Sequence, residues 1–150
     1  MVITLYSNEI KNSLLLTSHR EVSAIEDAEA RYRVEAGTEK LEEIYRCIWE
    51  AFARLSARCS RWLSAHYEST RDNVMDVPDK FTFDFVLSER RAINHDSLIE
   101  PMHTFMVEYA LSKFYSMVSQ GELSNKHSLL ALDAGNLIDQ ILYTKQPPRV

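Results

Sequence analysis

Apolar residues recur every three or four positions along most of this chain, and that spacing predicts helices. The longest run, about 39 to 68, places Leu41, Ile44, Ile48, Phe52, Leu55, Cys59, Trp62 and Leu63 on one face, widened by Tyr45 and Trp49. Thr38 stands where an N-cap belongs, followed by Glu39, Glu42 and Glu43 where the helix dipole favours negative charge. The opposite face sets Glu42 against Arg46 and Glu50 against Arg54 at i, i+4. A second helical region, about 97 to 143, reads as a hairpin folded around Ser119-Gln120-Gly121-Glu122. Asp96 or Ser97 caps its first helix, Pro101 falls in the first turn, and Leu98, Met102, Phe105, Tyr109 and Met117 mark the buried face. Gly121 ends that helix. The second, about 124 to 143, carries Leu130, Ala134, Leu137, Ile138 and Ile141 as its apolar stripe. Its small residues Ala131, Ala134 and Gly135 allow a neighbouring helix to come close.

The remaining segments are shorter. Ser7 can cap a helix over about 8 to 18, with Ile10, Leu14 and Leu15 on one side. Residues 20 to 37 read as a charged loop or arm, where alanine and glutamate before residue 31 also allow a helical turn, and Arg31 to Glu35 alternates like a short strand closed by Gly37. Residues 69 to 80 form a polar connector. Phe81-Thr82-Phe83-Asp84-Phe85-Val86-Leu87 alternates apolar and polar residues, a strand pattern. With one other strand candidate available, this strand is expected in a two-stranded ribbon or paired with another subunit, since a lone edge seeks a partner. Residues 88 to 95 form a charged loop around Arg90 and Arg91, and 144 to 150 an extended tail holding Pro147 and Pro148. The expected fold is mainly α, a single-domain helical bundle with a long central helix, a C-terminal hairpin and a minor β ribbon or arm.

Composition adds limits. A chain of 150 residues suits one domain with a sizeable core, and three glycines with four prolines favour long helices over a many-stranded sheet. A net charge of −5 argues against a general nucleic-acid binder, though not against a local basic surface. Cys47 and Cys59 lie on one predicted helix, roughly 18 Å apart along its axis, beyond disulfide or shared-metal reach. Reduced thiols are therefore expected. The N-terminal residues lack the basic and apolar regions of a signal peptide, and no run is long enough to span a membrane. A protein made and used in the cytoplasm, or released by lysis, is expected.

The chemistry-bearing candidates are few. Glu100 and His103 match the Glu-x-x-His spacing of carboxylate-bridged metal sites in helical bundles, but such sites need a second copy that this chain lacks. The five histidines show no metal-type spacing and read as surface or boundary residues. Cys59 sits among apolar neighbours, as a buried inert thiol would. Neither a Gly-rich phosphate loop nor a nucleophile elbow is present, so no enzyme, cofactor or metal is expected. Arg54, Arg58 and Arg61 form a row at i, i+4, i+7 that suits DNA or an acidic neighbour, although a solvated helix face is the plainer account. Met102 to Met117 is rich in Met and aromatic residues, which suits an adaptable groove but better suits core packing.

One stretch is more particular. Phe105-Met106-Val107-Glu108-Tyr109-Ala110-Leu111-Ser112-Lys113-Phe114-Tyr115-Ser116, the turn, and then Leu137-Ile138-Asp139-Gln140-Ile141-Leu142-Tyr143 with a Pro-rich end resemble small helical proteins of tailed phages and prophages of gut bacteria. The order of elements is similar over nearly the whole chain. The resemblance implies a neck component, of the head–tail connector, head-completion or tail-terminator type, that assembles as a ring around the DNA channel. It implies as partners further copies of the chain, neighbouring portal, neck or tail proteins, and DNA passing through the lumen, with the virion neck as location. It carries no functional residue with it. On this reading Arg54, Arg58, Arg61, Phe81, Phe83, Phe85, Pro147 and Pro148 are the candidate partner- or DNA-facing contacts. The alternative is a cytoplasmic helical adaptor or regulator that binds one protein partner through the hairpin.

Overall fold

The aromatic strand finds its partner at the chain's own N-terminus. In the computed structural model, which describes residues 1–64, 77–86 and 93–143, strand β1 (Val2–Tyr6) pairs antiparallel with β2 (Lys80–Asp84). The register sets Ile3 opposite Phe83 and Leu5 opposite Phe81. The Val-Ile-Thr-Leu-Tyr run of β1 is β-branched and alternating, which suits a pleated, half-buried ribbon. Ile3, Leu5, Phe81 and Phe83 face inward, while Val2 and Tyr6 face out. Beyond the strand, Phe85 and Met1 exchange backbone hydrogen bonds. On the other edge Ser64 N–H donates to the Asp84 carbonyl at 2.9 Å, and Val86 N–H to that of Trp62 at 2.7 Å. The chain leaving the central helix thus covers one end of β2.

Helix α1 (Ser7–Val22) follows β1 directly and is one turn longer than the expected 8 to 18. Its N-cap is Tyr6, which makes no side-chain capping bond; Ser7 instead hydrogen-bonds the Asp79 carbonyl. Helix α2 (Ala28–Val34) replaces both the loop and the short strand expected there. Asp27 caps it by accepting from Glu29 N–H at 3.0 Å. In a helix Tyr32 and Val34, two residues apart, point to different sides, and only Val34 is buried, so the alternation carried no core information.

A 3-10 turn (Thr38–Lys40) leads into α3 (Leu41–Cys59), and a second (Ser60–Trp62) ends it, with Leu63 already extended. Of the predicted stripe, Ile44, Ile48, Phe52, Leu55, Cys59 and Trp62 are buried and Leu41 and Leu63 partly so, and Cys47 and Ala51 join the buried face. The helix stops short of the expected 68 because Leu63 and Ser64 turn to meet β2. Phe52 stacks on Phe81 with ring centroids 4.5 Å apart, and Trp49 meets Phe81 edge-on at 5.8 Å. The ribbon is thereby fastened to α3.

Helices α4 (His95–Met117) and α5 (Gly121–Tyr143) form the expected hairpin. Asn94 caps α4, not Asp96 or Ser97, and Pro101 falls in the second turn. The hairpin turn is made by Ser119 at φ 60°, not by Gly121, which opens α5. Gln120 N–H reaches the Tyr115 carbonyl at 2.8 Å and Ser119 N–H that of Ser116 at 3.4 Å, the two bonds of a Schellman cap.

The core joins residues of β1, β2, α1, α3, α4 and α5 in one cluster. Against the predicted stripe of α5, Leu130 and Leu137 face solvent, and the buried set is His127, Ala131, Ala134, Gly135, Ile138 and Leu142. Glu108, Ser112 and Tyr115 mark the side of α4 that meets α5, and the small residues Ala131, Ala134 and Gly135 on the buried side of α5 let a neighbouring helix come close. Among the described residues no helix is long and apolar enough to cross a membrane.

Candidate functional site

The residues named from sequence as contacts separate in the fold. Phe81, Phe83 and Phe85 are 0%, 2% and 2% exposed, so they are core residues and the expectation that they face partners is corrected. Alternation puts all three on one face of the strand, and that face lies on α3. Pro147 and Pro148 lie outside the described residues, as do the 88 to 92 part of the charged loop and most of the 69 to 80 connector.

The arginine row divides as well. Arg54 is exposed on α3, beside Glu50 of its own helix and Tyr109 and Lys113 of α4. Arg61 is exposed but lies over the rings of Trp62 and Tyr143, at 5.9 and 6.0 Å. Arg58 turns to α5. Its Nε donates to the Gly135 carbonyl at 3.0 Å, and its Nη2 donates to Asp139 Oδ2 at 2.9 Å and Asn136 Oδ1 at 3.2 Å. This is a clamp between helices, which removes Arg58 from any DNA-facing row.

Gly135 is what gives the clamp room, since a Cβ there would fall 2.5 Å from Arg58 Cζ. Gly135→Ala is therefore expected to destabilise the protein by about 1 kcal/mol, the displaced charge-assisted bonds outweighing the helical gain of alanine. In an Arg58→Ala background the same change is expected to stabilise by up to about 1 kcal/mol. Urea titrations of the four proteins of this double-mutant cycle check the reversal of sign.

Glu100 and His103 line a cleft with Thr4, Tyr6 and Glu9, and Ser13 Oγ lies 3.4 Å from His103 Nε2. Among the described residues no group of three or more His, Cys, Asp or Glu side chains is placed to hold a metal ion.

A cluster that sequence reading missed lies where α1, α4 and α5 meet. His127 is 1% exposed, not a surface or boundary residue. Its Nε2 is 2.6 Å from Glu21 Oε1, and its Nδ1 is in close hydrogen-bond contact with Glu108 Oε2. Glu21 also receives Lys126 Nζ at 2.9 Å and the Tyr115 hydroxyl at 3.2 Å. The Tyr115 ring stacks on the imidazole, with centroids 5.5 Å apart. A carboxylate only accepts, so two flanking carboxylates require hydrogen on both ring nitrogens, which is the imidazolium. Burial alone would push the His127 pKa down, but the bonds and charges of Glu108 and Glu21 outweigh it and raise it above the usual 6.5. Burial works to raise Glu21, yet Lys126 and His127 prevail and hold its carboxyl below 4.5. Burial pushes the Tyr115 phenol up. The one signal in the sequence was position: His127 stands four residues before Ala131 on the buried side of α5.

The outer face of α5 is apolar. Leu129, Leu130, Leu132 and Leu137 are 64%, 39%, 51% and 47% exposed. Comparison of the chain with protein families, curated proteins and solved structures returns no match.

Proposed function

We propose that the protein is a non-enzymatic structural subunit of a tailed-phage virion, a neck or head–tail connector component that assembles with copies of itself into a ring around the DNA channel. The resemblance of the hairpin to such neck proteins motivates the reading, and the leucine face of α5 is the observation that supports it. Four leucines held out by helix geometry form an apolar surface of the kind that marks protein association. The occupant proposed is a second copy of this chain. A ring demands a heterologous contact, in which this face meets a different surface of the next subunit and the rotation closes. Portal, neck or tail proteins would adjoin the ring, and DNA would pass within it.

Sedimentation velocity and native mass spectrometry over a concentration series test the proposal. The wild-type chain is expected to form a closed oligomer, and Leu132→Glu with Leu137→Glu is expected to return it to a folded monomer with unchanged helicity. Both positions are about half exposed, so the monomer should lose little stability. A wild-type chain that stays monomeric at high concentration, alone and with portal and neck proteins, overturns the reading. The alternative, a cytoplasmic helical adaptor, would use the same face; a stoichiometric complex with one unrelated protein and no self-association identifies it.

A further inference from the structure

The ion cluster around His127 is independent of the leucine face. It joins three helices through groups that titrate in different ranges, and it is where the last turn of α1 reaches α5. Glu21 comes from α1, Glu108 and Tyr115 from α4, and Lys126 and His127 from α5. Glu35, following α2, adds its negative field at Tyr115, and Ser18 of α1 accepts from Ala36 N–H at 2.8 Å. Two cations thus face two carboxylates inside the cluster, with the imidazolium between the acids.

We propose that His127 is a pH-sensitive latch that fastens the end of α1 to the α4–α5 hairpin while protonated and releases it when the ring loses its proton. A neutral imidazole has one N–H, so one of the two carboxylates would face a bare nitrogen lone pair. Lys126 and the Tyr115 hydroxyl still serve Glu21, so the remaining N–H would stay on Glu108 and the bare Nε2 would face Glu21 Oε1, while both acids would lose the imidazolium charge. The ring is too buried for water to replace what is lost. Separation of α1 from the hairpin is the movement that rehydrates Glu21, Glu108 and His127 together.

The direction with pH follows from the two shifts. The folded pKa of His127 is raised, so its contribution is complete below the unfolded value of 6.5 and is lost as pH rises through the folded value. The folded pKa of Glu21 is lowered, so its contribution is complete above 4.5 and is lost as pH falls through the folded value. The latch is closed between those limits.

Urea denaturation of the full chain from pH 5 to 9, with hydrogen exchange of the α1 amides, tests this. The folded-to-unfolded ratio should fall by up to about tenfold per pH unit once pH exceeds about 6.5, until the folded pKa is passed. His127→Gln should remove that slope, and exchange at 18–22 should accelerate with pH beyond the intrinsic base-catalysed rise. An identical slope in His127→Gln, or exchange at 18–22 that follows the intrinsic rate alone, overturns the latch. Ring-nitrogen chemical shifts of the wild-type histidine give a reading that needs no variant to fold. A ring that keeps both nitrogens protonated to higher pH than an ordinary imidazole supports the latch, and one that loses its proton at or below pH 6.5 overturns it.

Discussion

Phe81→Ala is expected to lower stability by about 3–5 kcal/mol, the range for removing a buried aromatic side chain. Phe81 is fully buried, stacks on Phe52, meets Trp49 edge-on and stands opposite Leu5 of β1. The void would therefore open between ribbon and helix, where backbone pairing on one side and the rigid α3 on the other limit collapse. The midpoint of a urea titration measures the loss. Val86→Ala, at a position 62% exposed, should change stability by no more than about 0.5 kcal/mol. The pair separates a core strand from a docking strand. Were the phenylalanines a partner surface, their truncation would impair association and leave the monomer intact.

The second large effect concerns the thiols. Cys47 and Cys59 are 1% and 0% exposed, and burial pushes both up from 9.0 to about 12. Cys47 also points its Sγ at Met117 Sδ, 3.7 Å away. At pH 8 the native thiolate fraction should thus be about a thousandfold below that of an ordinary thiol, before access is considered. Labelling by a thiol-specific disulfide reagent should then proceed only through opening of the fold, at a rate that rises sharply in Phe81→Ala. The sign with pH is fixed by the same shift. The folded state holds its thiol protons to higher pH than the unfolded chain, so stability contributed by burial is complete below pH 9. Above it, each cysteine should cost up to about tenfold in the folded-to-unfolded ratio per pH unit. Labelling of either thiol in the folded chain at an ordinary rate would refute the burial argument.

The two effects meet on α3, because the buried stripe that carries the cysteines also carries Phe52. That stripe was readable from spacing alone, and it shows what local pattern does determine. Residues three and four apart share a face in any helix, so Ile44 to Cys59 could be assigned to the core without knowing what covers them. The hairpin of α4 and α5 was legible for the same reason, as was the mainly helical class.

Spacing could not name the partner of a face, because partners lie far off in sequence. Phe81, Phe83 and Phe85 were correctly placed on one side of a strand, but strand alternation alone does not say whether that side meets α3 or a neighbour. The contacts of Phe81 and Phe83 with Trp49 and Phe52 of α3 decided it. On α5 the apolar positions occupy more than one side, and spacing alone predicts Leu130 and Leu137 in the core. Packing reversed that choice: the side with Ala131, Ala134, Gly135 and Ile138 is buried, and Leu129, Leu130, Leu132 and Leu137 lie outside. The His127 cluster was beyond reach for a stronger reason. Its carboxylates stand 106 and 19 residues from the histidine, and none of the groups has a telling spacing within its own helix. The sequence by itself determined the long helical segments, though not α2 or the end of α3, because those long segments carry a strong three-to-four periodicity of their own. The tertiary structure decided which sides are buried and which charges meet, because those depend on contacts between segments that local periodicity does not encode.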